Sequence, residues 1–371
     1  MEPTKQPVSR LTPSSIWNIF LASGKRHLLL TGGRGIGKTT ALCALPLPVG
    51  TPCIRSALVP GKGVWLAGPW GKTQIQIGAM GQASAALPQQ RMKPLESGLC
   101  EAAGAVRQAA AAQSEFVLLD EIGFLESGSE CYAAALDTLF AQKRVAAAVR
   151  KQELPFLQRQ LSRPDALVLD LDAPAAQMGC VIMASGLGRR FGGSKLLAEF
   201  CARPLLHYTL QATSGLFADR VMVTRSAEAA RFAQSCGVRT VLHTLPGRSD
   251  AVRLGVQALK PGLAGAVFCP ADQPCLSPET LLALAAAAQS VPECLWRTAF
   301  GGQVGAPAAF SRTFFAELCC LPAGQGGGAV LKAHPQLVRC VQAQRAEELL
   351  DIDTKEDLET LQRRILKCSA D

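Results

Sequence analysis

The sequence predicts an α/β protein built from two three-layer domains. Three observations carry that prediction: the length of the chain, an alternation of short apolar runs with longer amphipathic ones, and two glycine-rich loops that each follow an apolar run. The chain has 371 residues, which at about 150 residues per domain makes two domains the simplest division. Apolar residues make up 48% and charged residues 18%, enough to fill two cores and too few charges for a chain that stays disordered.

The first half supplies strand candidates at His27–Thr31, Val64–Ala67, Phe116–Leu119, Arg144–Val149 and Ala166–Leu171. Tyr132, Leu136, Leu139 and Phe140 recur at helical spacing behind Ser127 or Ser129, either of which can cap a helix. Ala173, Pro174, Ala175 and Ala176 form a breaker, so the boundary is placed there: an N-terminal extension at 1–24, one domain at 25–174 and a second at 175–371. In the second domain strands are expected at Gly179–Ala184, Arg220–Val223, Arg239–His243, Ala264–Cys269 and Leu337–Val341. Helices are expected near Pro204–Thr213, Asp250–Leu259, Pro278–Ala288 and Lys355–Ile365. Both halves are read as strand, glycine-rich loop and helix.

Composition narrows the function. No apolar run nears the roughly 18 residues that cross a bilayer, and residues 1–25 lack the pattern of a cleaved leader. A cytoplasmic protein without a membrane partner is expected. The 14 cysteines include no Cys-x-x-Cys pair, and neither Cys319–Cys320 nor Cys269 with Cys275 has a histidine at ligand spacing, so reduced thiols and no zinc site are expected. The net charge of +9 favours acidic partners such as nucleotides and phosphorylated substrates. Nucleic acid is disfavoured because basic residues are scattered and aromatics make up only 5%. His27, His207, His243 and His334 fall in strand or helix patterns or near loops and are read as structural or surface groups.

Gly32-Gly33-Arg34-Gly35-Ile36-Gly37-Lys38-Thr39 fits G-x-x-x-x-G-K-[ST] between a strand and the helical run Thr40–Ala44. Gly32, Gly35 and Gly37 let backbone N–H groups turn inward around phosphates, the helix from Thr40 adds its positive end, Lys38 reaches the β- and γ-oxygens, and Thr39 can hold magnesium. Such a loop needs an acidic group at the end of a nearby strand, and Asp120 and Glu121 supply it: Asp120 for magnesium, Glu121 to orient the attacking water. GGRGIGKTT, GKGVWLAG, FVLLDEIGFLE and RVAAAVRK together resemble the small P-loop nucleoside triphosphatases of the thermostable and cancer-related NTPase family, over about residues 25–172. That family commonly carries proline where this chain has Arg34. The resemblance implies a P-loop NTPase fold and slow, poorly selective hydrolysis of ATP or GTP.

Further on, Cys180–Ser185 reads as a buried strand that runs into Gly186-Leu187-Gly188-Arg189-Arg190-Phe191-Gly192-Gly193-Ser194-Lys195. Its lysine stands at the wrong spacing for the first motif, and Phe191 breaks a dinucleotide G-x-G-x-x-G. The loop can still wrap a triphosphate while Arg190 and Lys195 offset the charge that moves toward departing pyrophosphate. Asp272 follows the strand Ala264–Cys269, at the carboxyl edge where open α/β sheets bind ligands, and is the magnesium candidate.

MASGLGRRFGGSK, CPADQPCL, GRSDAVRLG, GAPAAF and DIDTKEDL resemble, in order, the blocks of the MobA-like nucleotidyltransferases, nearest the molybdenum cofactor cytidylyltransferase branch, over about 179–366. Departures are Ser185 for alanine and Gly188 for serine. The resemblance implies a Rossmann-like nucleotidyltransferase fold. It implies triphosphate contacts from Gly186, Gly188, Arg190 and Lys195, nucleotide contacts near Gly247 and Ser249, Asp272 as metal ligand and Asp353 as a second one. The reaction implied is attack of an acceptor phosphate, that of the molybdopterin cofactor, on the α-phosphorus of an NTP such as CTP, with magnesium as cofactor and a molybdenum hydroxylase as recipient. Two other readings stay open at this stage: a non-catalytic cofactor-binding chaperone for such a hydroxylase, and a transferase acting on a sugar or alcohol phosphate.

Overall fold

The computed structural model describes residues 10–69, 74–81 and 92–368, and of 366–368 only the backbone. The chain forms two compact units, Gly24–Ala173 and Pro174–Asp371 together with Met1–Ser23. Helix α1 (Pro13–Ser23) buries Ile16, Ile19 and Phe20 against elements of the second unit, so the stretch expected to be an N-terminal extension joins the C-terminal body. Apolar residues at i, i+3 and i+4 put these three on one face, and that face needs a partner.

The Gly24–Ala173 unit follows the order β1 (His27–Thr31), α2 (Lys38–Cys43), β2 (Cys53–Val59), β3 (Gly63–Ala67), β4 (Ile75–Met80), β5 (Met92–Pro94), α3 (Glu96–Ala111) and β6 (Phe116–Ile122). It continues with α4 (Glu130–Gln142), β7 (Arg144–Val149), α5 (Pro155–Leu161) and β8 (Ala166–Asp170). The sheet runs β5-β4-β3-β2-β6-β7-β1-β8. From β2 to β8 neighbouring strands are parallel. These central strands are the near-continuous apolar runs that burial on both faces demands.

The β2 to β5 end is an antiparallel ribbon, which departs from the mainly parallel sheet expected. Its strands are only partly buried, so no continuous apolar run announced β2, β4 or β5. One close approach fixes the ribbon: a Cβ on Gly63 would lie 2.0 Å from the Gly78 carbonyl oxygen. Ser129 stands just before α4 but makes no cap. Its hydroxyl instead donates to Glu96 Oε1 at 2.8 Å.

In the C-terminal unit β9 (Met178–Ala184) leads through a long loop and one 3-10 turn (Lys195–Leu197) to the two-residue strands β10 (Glu199–Phe200) and β11 (Arg203–Pro204), and only then to α6 (Leu205–Ala212). The expected strand–loop–helix order therefore does not hold here. Next come β12 (Asp219–Thr224), α7 (Ala227–Ser235), β13 (Arg239–Leu242), α8 (Arg248–Ala258), β14 (Gly265–Pro270), α9 (Pro278–Ser290), β15 (Leu295–Phe300) and β16 (Gln303–Ser311). The unit closes with α10 (Phe315–Cys319), α11 (Gly328–Ala333), β17 (Val338–Gln342) and α12 (Lys355–Cys368).

Its sheet runs β13-β12-β9-β14-β16-β15-β17, with β16 antiparallel to both its neighbours and the other pairings parallel. Gly301 and Gly302 turn the β15–β16 hairpin with φ of 56° and 83°, the two positive values a two-residue turn requires. That Gly-Gly pair between apolar runs was the readable signal for two strands absent from the expected set. Helix α9 packs on β14, β15, β16 and β17, and α1 packs on α9 and β17.

Candidate active site

The C-terminal candidate site lies at the carboxyl ends of β9 and β14, parallel neighbours near the middle of the sheet. Strand β14 ends at Pro270, and Ala271 N–H still donates to Met183 O at 3.1 Å, so Asp272 emerges beside the loop that leaves β9. The Asp272 carbonyl accepts from Ile352 N–H at 3.0 Å. That bond sets the Asp351-Ile352-Asp353 segment against the same edge, with Ile352 buried at 1% exposure and an aspartate on either side of it.

Lys195 is the centre of the cluster. Its side chain is 10% exposed, and Nζ stands 2.6 Å from Asp272 Oδ2 and 3.5 Å from Asp353 Oδ1. Arg190 Nη2 lies 2.6 Å from Asp353 Oδ2. Four residues expected at the site, Arg190, Lys195, Asp272 and Asp353, are thus brought together from three distant stretches of chain. Asp353 is held by the start of α12: Asp357 Oδ2 accepts from Asp353 N–H at 3.1 Å and Thr354 N–H at 2.7 Å. The Thr354 hydroxyl first, then these backbone bonds, hold the Asp357 carboxyl below its usual range.

Asp351 was not expected. Burial pushes its carboxyl up, and the charges of Asp272 and Asp353 push the same way. Crowded carboxylates of this kind are what a hard divalent cation relieves, so magnesium fits this donor set.

Gly188 has φ 55°, and a Cβ there would lie 3.2 Å from Gly193 O and 3.3 Å from Lys195 Cβ. Glycine in place of the family's serine therefore lets the loop fold back toward Lys195. Ser185, the other departure, is tied down on two sides. Its hydroxyl donates to Val223 O at 3.1 Å and lies 2.8 Å from His243 Nε2. Its carbonyl accepts from Arg225 Nε at 2.8 Å. Burial, then the Arg225 charge, lowers the His243 pKa, so the ring is neutral near pH 7 and ties β9, β12 and β13 together as a structural group. His243 was read as a structural or surface group, but its partners, and Arg225, were not legible in the sequence, because both depend on which strands are neighbours. Gly247 precedes α8 and Ser249 lies in its first turn. Gly247 N–H donates to Asp250 Oδ2 at 3.1 Å.

In the Gly24–Ala173 unit the loop between β1 and α2 holds Gly32, Gly35 and Gly37 at φ 140°, 80° and 102°, a run that only glycine adopts at little cost. Lys38 Nζ donates to the carbonyls of Gly32 and Gly33, each at 2.8 Å. Gly33 N–H donates to Asp172 Oδ2 at 2.6 Å. Thr39 and Thr40 lie exposed in the first turn of α2, which packs on β6 and β7. Strand β7 stands between β1 and β6.

At the end of β6 Asp120 is 8% exposed, and its Oδ1 has no hydrogen-bond partner. A buried carboxylate oxygen without a partner suits a magnesium-linked oxygen. Glu121 is paired with Arg150 through Oε1 and, at 3.2 Å, through Oε2, a partner its expected role did not include. Close by, Glu126 is 4% exposed, accepts from Gly123 N–H at 2.9 Å, and is pushed up to about 7 by burial.

Residues 180–338 match the family model described as the MobA-like NTP transferase domain, so the C-terminal unit carries a domain of the nucleotidyltransferase class. Among solved structures the chain resembles the Rv0371c protein of Mycobacterium tuberculosis, at 26% identity over 51% of this chain and 99% of that one, with a TM-score of 0.45. A nucleotidyl transferase from Methanothermobacter is 21% identical over 52% of this chain and 99% of its own, with a TM-score of 0.46. The molybdopterin-guanine dinucleotide biosynthesis protein A of Archaeoglobus fulgidus is 19% identical over 51% and 100%, with a TM-score of 0.40. No curated protein matches the chain. Among the described residues no helix is long and apolar enough to cross a membrane.

Proposed function

We propose that the C-terminal unit transfers CMP from CTP to the phosphate of a molybdopterin cofactor, with release of pyrophosphate, and that the Gly24–Ala173 unit hydrolyses ATP or GTP, both in the cytoplasm. The observation that supports the transfer most directly is the cluster of Lys195, Arg190, Asp272 and Asp353 beside the glycine loop, the first three of them within the segment matching the nucleotidyltransferase domain. An acceptor phosphate oxygen attacks the α-phosphorus, and the bond to the oxygen that bridges to the β-phosphorus breaks. The acceptor is already ionised near neutral pH, so the site needs no general base. Alignment and offset of charge suffice.

Lys195 and Arg190 move from their carboxylate partners to the phosphates, and the loop N–H groups around Gly186 and Gly188 hold the triphosphate. Gly247 and Ser249 face the nucleoside from the start of α8. Magnesium, held by Asp272 and Asp353, would supply the remaining countercharge between the two polyanions. The choice of molybdopterin and CTP rests on the likeness of the loop and the DIDTKEDL block to the cytidylyltransferase branch, and a molybdenum hydroxylase is the recipient which that choice implies.

For the Gly24–Ala173 unit, Gly32, Gly35, Gly37, Lys38 and the α2 N-terminus at Thr39–Thr40 would hold the phosphates. Asp120 with Thr39 would hold the metal, and Glu121 would orient water once released from Arg150. The test combines full-length protein, magnesium and the molybdenum cofactor with each of CTP, GTP and ATP. Pyrophosphate release with CTP is expected, and none with any nucleotide would overturn the transfer. Lys38→Ala should abolish phosphate release from ATP and GTP yet leave pyrophosphate release intact. Equal phosphate release from Lys38→Ala and the native protein would overturn the hydrolase reading.

A further inference from the structure

We propose that Glu96, Cys100 and Cys131 form a binding site for one thiophilic divalent cation of the zinc class, separate from both candidate nucleotide sites. Sequence spacing hides it, because the two cysteines stand 31 residues apart. The fold brings them together: Glu96 opens α3, Cys100 follows one turn later on the same face, and Cys131 is the second residue of α4, which packs against α3. The ligand atoms of these three residues all lie within 4.8 Å of one another.

The spacing matches one shared ion. In tetrahedral coordination, Zn–S of about 2.3 Å and Zn–O of about 2.0 Å set S···O near roughly 3.5 Å and S···S near roughly 3.8 Å. Glu96 Oε1 lies 3.6 Å from Cys100 Sγ and 3.7 Å from Cys131 Sγ, already at the required separation. Only the sulfurs, 2.6 Å apart, must open, by roughly 1.2 Å on that geometry. Cys100 is exposed and Cys131 part-exposed, so side-chain rotation can supply the change.

Ser129 Oγ donates to Glu96 Oε1 at 2.8 Å and fixes the carboxylate as outer partners of metal ligands do. Water takes the fourth position. Occupancy ties the start of α3 to the start of α4, directly after the connection from β6 that carries Glu126.

The test uses the reduced full-length chain, stripped of metal and titrated with Cd2+ by its thiolate charge-transfer absorption and with Zn2+ in competition with a chromophoric chelator. The native protein should take up one equivalent more than Cys100→Ser/Cys131→Ser. Glu96→Gln, which keeps both thiols, should bind zinc at least about 10-fold more weakly, since loss of a ligand costs no less than loss of one of its outer partners. Cadmium should shield Cys100 and Cys131 together from alkylation, read by peptide mapping on the native chain, so the result does not depend on the double variant folding. Equal stoichiometry, unaltered zinc affinity in Glu96→Gln, or no shielding of the pair would each overturn the site.

Discussion

Ile19 lies just ahead of the Gly24–Ala173 unit in the chain but packs in the other unit. Ile19→Ala is therefore expected to weaken the C-terminal unit and leave its sequence neighbour unchanged. The side chain is 0% exposed, in a helix that packs on α9 and β17, so truncation removes apolar contacts and leaves a cavity in a packed interface. Such changes cost about 2–5 kcal/mol, and about 3 kcal/mol corresponds to a shift of roughly 100-fold in an opening equilibrium. Hydrogen exchange read by mass spectrometry, under conditions where the rate follows that equilibrium, separates the two units. Peptides from β17 and α9 should exchange roughly 100-fold faster, while peptides from β1 and β8 keep the native rate. Faster exchange confined to β1 and β8 would refute the assignment of α1 to the C-terminal body.

Asp272→Ala should lower pyrophosphate formation by about 100-fold or more, the usual scale for removing a preorganised charge from a transition state, in a coupled pyrophosphate assay. A rate within threefold of native would remove Asp272 from the chemistry. Gly188→Ser forces a side chain onto φ 55°, close to Gly193 O and Lys195 Cβ. A cost of about 1 kcal/mol should appear as a roughly fivefold higher KM for CTP, and an unchanged KM would show that the loop conformation does not matter.

Glu126, pushed up from 4.5 to about 7, keeps a proton in the folded state that the unfolded chain releases. Its stabilising contribution is complete below pH 4.5 and lost by about pH 7, a fall of about 3 kcal/mol as pH rises. His27, lowered from 6.5 to about 4 by burial, acts in the opposite direction, and its contribution is lost as pH falls through that window. Glu126→Gln should therefore leave the Gly24–Ala173 unit steadily weaker on acidification from pH 6.5 to 4 in urea unfolding. Identical pH profiles for variant and native protein would contradict the burial of that carboxyl.

Much of the molecule was readable before folding. The strand His27–Thr31 coincides with β1 and Arg144–Val149 with β7, because parallel strands buried on both faces must be continuous apolar runs. Gly32 to Thr39 and Gly186 to Lys195 could be picked out as glycine-rich loops after apolar strands, and Gly32, Gly35, Gly37, Gly188 and Gly192 do take the positive φ values that favour glycine. Lys195, Asp272 and Asp353 were named from short blocks alone, and the fold placed them in one cluster.

Tertiary structure decided the rest. Asp351 matters only because a backbone bond from Ile352 sets its segment beside β14. Ser185, His243 and Arg225 meet because β12 lies between β9 and β13. Helix α1 joins the farther unit, and the half-exposed ribbon β2 to β5 forms where no apolar run announced it. The Cys100–Cys131 pair, silent in the spacing, is made by two helices that pack side by side. Local sequence sets backbone conformation and which faces are apolar, whereas the meeting of distant side chains depends on strand order and helix packing, which no short stretch of chain encodes.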